Sequence, residues 1–167
     1  MNKKILIVGG ILGMAGLIYK VPDLAFDNFH TYDDYIKRVA KREGISYYIL
    51  KAIIAVESGF NPKAKASTTT ATGLMQMTEA ACQDVGVSHF LMTNPVHAIS
   101  AGGKYLGLKI KEAGSLFGGI RSYFEGYGNY KANKQGRATE NQVALHKESQ
   151  RYLNKVLMYQ VAMIGRG

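Results

Sequence analysis

A chain of 167 residues, 47% of them hydrophobic, is long enough for one domain with its own core and too apolar to be disordered. The net charge of +9 favours a polyanionic partner, but the basic residues are spread as KR, KAK, KIK and KANKQGR, so charge alone selects neither nucleic acid, nor anionic lipid, nor an acidic wall polymer. A single cysteine, Cys82, excludes an internal disulfide.

Asn2-Lys3-Lys4 precede an apolar run from Ile5 to Tyr19, ILIVGGILGMAGLIY, the form of a secretory signal or signal anchor. Extended to Val21, the run reaches the short end of the roughly 17–25 residues that span a bilayer. No clean small-x-small cleavage site follows it. Residues 1–21 are therefore expected to remain as an N-terminal transmembrane helix, with Lys3 and Lys4 cytoplasmic and the domain outside. Residues 22–30, PDLAFDNFH, read as a connector, which leaves 31–167 for the folded domain.

Thr31, with Asp34 near the capping-box position, predicts the start of a helix that carries Tyr35, Ile36, Val39 and Ala40 and stops at Gly44. Ser46 opens YYILKAIIAVES, whose Ile49, Leu50, Ile53, Ile54 and Val56 make a broad apolar face. Glu57 and Ser58 close it and Gly59 is the stop. The pattern breaks over 60–73, where Asn, Pro, Ser, Thr and Gly mark a loop. A short helix follows from Thr78, and Asn94-Pro95 opens another through about Lys111. Ser115 to Tyr127 reads as one more. Thr139 and Gln142 form a capping box for a long last helix with Val143, Leu145, Tyr152, Val156, Leu157 and Tyr159 among its core positions. The fold class is all-α with one long functional loop.

Among the acidic residues Glu57 stands apart, because it ends the most apolar helix and a Gly- and Thr-rich loop follows it. Burial there raises a carboxyl's pKa and keeps it protonated near neutrality, as a general acid for glycoside cleavage requires. A surface helix-end carboxylate is the alternative on position alone. His30, His89, His97 and His146 show no metal-ligand spacing, and no phosphate loop, GxSxG or Cys–His signature is present, so no metal or cofactor is expected. Cys82 reads as a small buried residue, not a nucleophile.

The stretch ESGFNPKAKASTTTATGLMQMTEAA, residues 57–81, resembles the active-site segment of the soluble-lytic-type lytic transglycosylases, whose lysozyme-like helical fold is shared with goose-type lysozymes. Glu57-Ser58, Phe60-Asn61-Pro62, Ser67 with Ala71, and Gly73-Leu74-Met75-Gln76 stand in the family's order. Three later blocks follow: Asn94-Pro95 with Ile99, Gly102, Tyr105 and Leu106; Tyr123 to Gly128; and Glu148, Tyr152, Lys155 and Val156. The resemblance covers about residues 31–160. It implies cleavage of peptidoglycan glycan strands between N-acetylmuramic acid and N-acetylglucosamine, with Glu57 first as acid and then as base on the sugar's own 6-hydroxyl, closing a 1,6-anhydro ring. It also implies that Ser58, Met75 and Gln76 line the sugar cleft, that Tyr123 hydrogen-bonds Glu57, and that Tyr152 closes the site.

Four departures accompany the resemblance. Thr70 stands where the family has Gly, and a β-branched residue resists positive φ. One residue is inserted around Lys65–Ala66. Phe124 replaces a sugar-binding Asn, and Glu125 replaces Ala. Glu125 is expected to face solvent, with a water-activating, lysozyme-like role as the alternative. Hydrolysis of the same bond and a non-catalytic wall-binding scaffold thus stay open beside the transglycosylase reading, and nucleic acid is not expected as a partner. A small anchored enzyme of this kind suits local wall opening in a virion, secretion or conjugation setting, with the catalytic side extracytoplasmic.

Overall fold

The apolar run that ends at Glu57 becomes a buried helix that packs against the first and last helices of the domain. The computed structural model describes residues 24–165, so the anchor expected at 1–21 lies outside the described residues. The order is α1 (Asp33–Glu43), α2 (Tyr47–Ser58), α3 (Glu79–Asp84), a 3-10 helix (His89–Thr93), α4 (Pro95–Ala113), α5 (Leu116–Glu125), α6 (Tyr127–Lys134) and α7 (Glu140–Ile164). No strand forms among the described residues; two isolated antiparallel bridges, Lys65–Thr72 and Thr72–Met77, fold the expected loop onto itself. The fold is all-α, as the periodicity predicts.

Every residue of α2 from Ile49 to Ala55 is buried. α1 packs on one side of it and α7 on another, while α4 and α5 form a second, extensively packed pair that α7 also joins. A helix enclosed this completely must bury Lys51 as well, and a buried cation requires a partner. Lys51 Nζ donates to Asp33 Oδ1 at 2.6 Å and to the Tyr47 hydroxyl at 3.1 Å. It also lies 3.8 Å from the centroid of the Phe29 ring, a cation–π contact. Burial pulls the Lys51 ammonium toward neutrality, and the hydrogen bond and charge of Asp33 oppose that.

The caps follow the sequence in part. Asn94 accepts from Val96 N and His97 N ahead of Pro95, Thr78 accepts from Ala81 N, and the Thr139–Gln142 capping box forms. Thr31 does not cap α1: Tyr32 takes the cap position with no side-chain bond, and the first-turn Asp33 is committed to Lys51. The helix expected from Ser115 to Tyr127 breaks at Gly126 (φ 78°, ψ 142°), and the separate α6 follows. On α7 the outward-facing Val143 is 40% exposed, and Leu153 and Met163 fill the core instead.

The expected connector is also part of the core. Leu24 is buried, and the rings of Phe26 and Phe29 each lie 5.4 Å from the Phe60 ring. An apolar side chain at every second or third position allows this segment to lie flat against the C-terminal end of α2.

Gly73 sets the closest approach in the fold. It has φ +79°, and a Cβ there would lie 1.8 Å from the Met92 carbonyl oxygen. Gly73→Ala combines a left-handed backbone with a clash against main chain, and it is expected to cost about 3 kcal/mol or more. Urea denaturation of the two proteins checks this.

Candidate active site

Three helices meet at Glu57. α2 delivers the carboxyl at its last turn, α5 contributes Phe124, and α7 supplies a wall. Gly59 (φ 58°) ends α2 in the left-handed conformation and Phe60 (φ 64°) continues it. A left-handed aromatic residue is strained by about 1–2 kcal/mol, and it persists here because its ring is locked among Phe26 and Phe29. Gln76 (φ 45°) is the only other non-glycine residue with positive φ among the described residues, so both strained positions border the same loop.

Side chains from that loop and α2 close it. Ser58 Oγ donates to the Leu74 carbonyl at 2.8 Å, and Gln76 Nε2 donates to the carbonyls of Gly73 and Ala64 at 2.9 and 3.1 Å. Thr72 and Met77 exchange backbone hydrogen bonds at 3.2 and 3.1 Å. Thr70 avoids the positive φ that its β-branch resists, and its Oγ1 accepts from Glu79 N at 3.1 Å. The Gly-to-Thr departure is thus accommodated by a different backbone and rewarded with a tie to α3.

The carboxyl of Glu57 accepts a 2.5 Å hydrogen bond from the Tyr152 hydroxyl, 95 residues away on α7. Burial pushes its pKa up to about 7, while that hydrogen bond and the Lys155 ammonium pull it down. The phenol of Tyr152 is itself raised well above its ordinary value, by burial and then by the charge of Glu57, so it remains the donor at neutral pH. The pocket over the carboxyl is walled by Val56 and Glu57 from α2, Phe124 from α5, and Glu148, Arg151, Tyr152 and Lys155 from α7.

Two expected roles change. The hydroxyl of Tyr123 donates to the Met75 carbonyl at 2.6 Å, so it braces the loop, and Tyr152 is the residue that holds Glu57. Tyr123 is buried, and its hydroxyl is committed to the Met75 carbonyl with the Met77 sulfur 3.6 Å away. The Met75 side chain is fully buried, so it packs in the core beneath the cleft and does not line it. Ser58 and Gln76 stand beside Glu57 with their polar groups engaged by backbone.

Glu125 does not face solvent. It is 4% exposed, and its carboxylate accepts from Ser149 Oγ at 2.8 Å and meets His146 Nδ1 at 3.0 Å, with Arg121 Nε 3.9 Å away. A helix pattern cannot reveal this, since the partners arrive from α7. The second carboxylate in the pocket wall is Glu148. Residues 148, 151, 152 and 155 recur at helical spacing on one face of α7, and that spacing is the signal that could have placed all four in the site.

Comparison with known proteins gives the family and the fold. The family described as Transglycosylase SLT domain matches residues 34–145. Membrane-bound lytic murein transglycosylase F of Stutzerimonas stutzeri is 39% identical over 75 residues, 45% of this chain and 15% of that protein. Its namesake in Pseudomonas putida is 38% identical over 81 residues, 48% of this chain and 16% of that one. This chain therefore spans about a sixth of the length of these relatives. The 70 kDa soluble lytic transglycosylase of Escherichia coli superposes with a TM-score of 0.64 at 25% identity, over 78% of this chain and 24% of that one. The structure of the 70 kDa soluble lytic transglycosylase in complex with bulgecin A gives 0.66 at 24% identity, over 81% and 24%, a likeness of fold.

Two outcomes follow for stability. Glu57 has its folded-state pKa raised from near 4.5 to about 7, so between those values the folded chain holds more proton than the unfolded one. Wild-type stability must then fall as pH rises through that window. Glu57→Gln removes the effect: its stability relative to wild type should grow from pH 4.5 to 7 and level off above, by on the order of 3 kcal/mol. Thermal unfolding across that range reads it. Glu125→Ala removes the buried acceptor of Ser149 Oγ and the partner of His146, and a loss of about 2 kcal/mol is expected in the same assay.

Proposed function

This chain belongs to the transglycosylase SLT domain family, and from that premise we propose that it is a peptidoglycan lytic transglycosylase with Glu57 as its one acid/base. The supporting observation is the Glu57 carboxyl itself, held by Tyr152 with its pKa near 7 at the floor of an open pocket. Such a group is divided about equally between its two protonation states at neutral pH, so it can lose and regain its proton within one turnover.

Glu57 donates its proton to the oxygen joining N-acetylmuramic acid to N-acetylglucosamine, and that bond to C1 breaks. The resulting carboxylate accepts the proton of the muramic acid 6-hydroxyl as its oxygen attacks C1. The product carries a 1,6-anhydro ring, no water is consumed, and Glu57 ends the cycle protonated. Tyr152 keeps the carboxyl aimed throughout, and Ser58 and Gln76 hold the loop at the substrate's edge. The names of the relatives, lytic murein transglycosylases, support the substrate class.

A second reading, hydrolysis of the same bond, has one observation in its favour: Glu148 shares the pocket and could activate water from the far wall. Glu125, buried under its own hydrogen bonds, is not placed for that task.

The wider setting extends this reading. The domain begins by Leu24, since Leu24 lies in the core, and residues 1–21 act as a signal anchor that holds the catalytic side outside the cytoplasmic membrane. Among the described residues no helix is long and apolar enough to cross a membrane. The +9 charge suits an acidic wall. Local opening of the wall for a virion or a secretion or conjugation apparatus is the role that a small tethered enzyme of this kind serves.

Muropeptide analysis by mass spectrometry tests the reaction. Purified peptidoglycan digested by the wild-type chain should yield 1,6-anhydromuramic ends, with Glu57→Gln reducing the rate about 10²- to 10⁴-fold. Activity should decline as pH rises through about 7, because the acid is then lost. Reducing ends that disappear with Glu148→Gln would establish the hydrolase instead.

A further inference from the structure

Phe124 is the feature of the pocket that the reaction above does not use. It is a large apolar side chain left 41% exposed on a wall shared with Glu57. Single exposed apolar residues on a protein surface need no explanation. Phe90, 89% exposed on the 3-10 helix, is one of these and lines no part of the pocket.

The position of Phe124 is constrained in a way that Phe90 is not. Its ring stacks on that of Tyr152, with centroids 4.9 Å apart and planes inclined by 29°. Tyr152 is in turn buried and bonded to Glu57. The Phe124 ring is thus backed by a fixed aromatic ring, and its exposed part lines the pocket. A stacked ring loses little conformational entropy when a ligand covers it. Val56 adds a second apolar patch to the same wall, while Arg151, Lys155 and Glu148 supply the polar rim.

We propose that Phe124 is a sugar-stacking platform that binds the C–H face of an N-acetylhexosamine ring beside the Glu57 carboxyl. The proposal rests on the glycan-cleaving reading and adds a residue that determines how the glycan is gripped. A pyranose ring with equatorial substituents directs its axial C–H bonds from its faces. Those faintly positive hydrogens meet the negative face of an aromatic ring, and apolar area leaves water at the same time. A polar side chain at position 124 would grip the sugar by a directional hydrogen bond; the ring makes the contact non-directional. It reads the shape of the ring and tolerates changes in the hydroxyl and peptide decoration at its edge.

Binding without turnover tests this, with a tetramer of N-acetylglucosamine as the probe and Glu57→Gln as the background. Calorimetry should show the tetramer binding about tenfold more weakly to Glu57→Gln/Phe124→Ala than to Glu57→Gln. Glu57→Gln/Phe124→Tyr should restore most of the affinity, and Glu57→Gln/Phe124→Asn should not. In the Glu57-containing chain, Phe124→Ala should raise KM for peptidoglycan by a similar factor. It should leave the identity of the anhydro products and the pH limb near 7 in place.

That limb reports on every group facing Glu57: Tyr152, Lys155, Arg151 and Glu148 from α7, and Tyr123 from α5. A Phe124→Ala enzyme with unchanged KM, lowered kcat and a shifted limb would overturn the proposal, because the ring would then act by holding Tyr152. Unchanged tetramer affinity would overturn it too. Absence of anhydro products from the wild-type chain sinks the reaction but leaves the binding comparison to be judged on its own.

Discussion

Everything at the site follows from the enclosure of α2. A helix buried at every position from Ile49 to Ala55 has no solvent-facing side on which to place a polar residue, so its charges must be paired or must stand at its ends. Lys51 takes the first course, with Asp33 from α1 and the ring of Phe29. Glu57 takes the second, at the last turn, where apolar packing below and an open pocket above leave it half in each medium. A raised proton affinity is the direct result, and it needs no neighbouring acid. The same enclosure explains why the chain must turn abruptly after Ser58. Two successive left-handed residues accomplish the turn, and the strain at Phe60 is borne by an aromatic cluster that would otherwise look like mere core filling.

The division of labour among the tyrosines has the same origin. Tyr123 and Tyr152 both lie beneath the carboxyl and both are buried, yet only the one from α7 reaches it. The phenol on α5 finds the Met75 carbonyl and so fixes the loop. One tyrosine holds the acid and the other holds the floor under it. Met75 consequently points into the core beside Gly102, where a Cβ would come within 2.7 Å of the Met75 side chain.

Much of this was legible before any coordinates. Periodicity and punctuation placed α2, α4 and α7 well, because each has an apolar stripe and a chemical start signal. Glu57 was legible from the contrast between the helix it ends and the loop it begins. α6 was not, since YGNYKANK presents no apolar face and none of its residues is buried. The burial of Glu125 was hidden because it depends on His146 and Ser149, more than twenty residues further on. Of the wall formed by α7, the resemblance gave Tyr152 as closing the site, but not that Arg151 and Lys155 face the pocket, because long charged side chains look alike in sequence whether they face a cleft or open solvent. The aromatic residues of the expected connector were visible, but their target, the strained ring of Phe60, was not.

The docking of that connector sets a length scale. Phe26 packs against Gly59, within 3.4 Å of where a Cβ would stand, only two residues past the acid. The first described residues therefore pack beside the C-terminal end of α2, two residues from Glu57. Two residues, Pro22 and Asp23, separate Leu24 from Val21, a span of about 11 Å at most when fully extended. Were 5–21 seated in a bilayer, the cleft would work on a short leash, confined to the layer of wall nearest the lipid. Within that layer its local concentration would be high, and beyond it effectively nil. Such a leash would act as a ruler, with the position of the anchor setting how far from the lipid the cleft can reach.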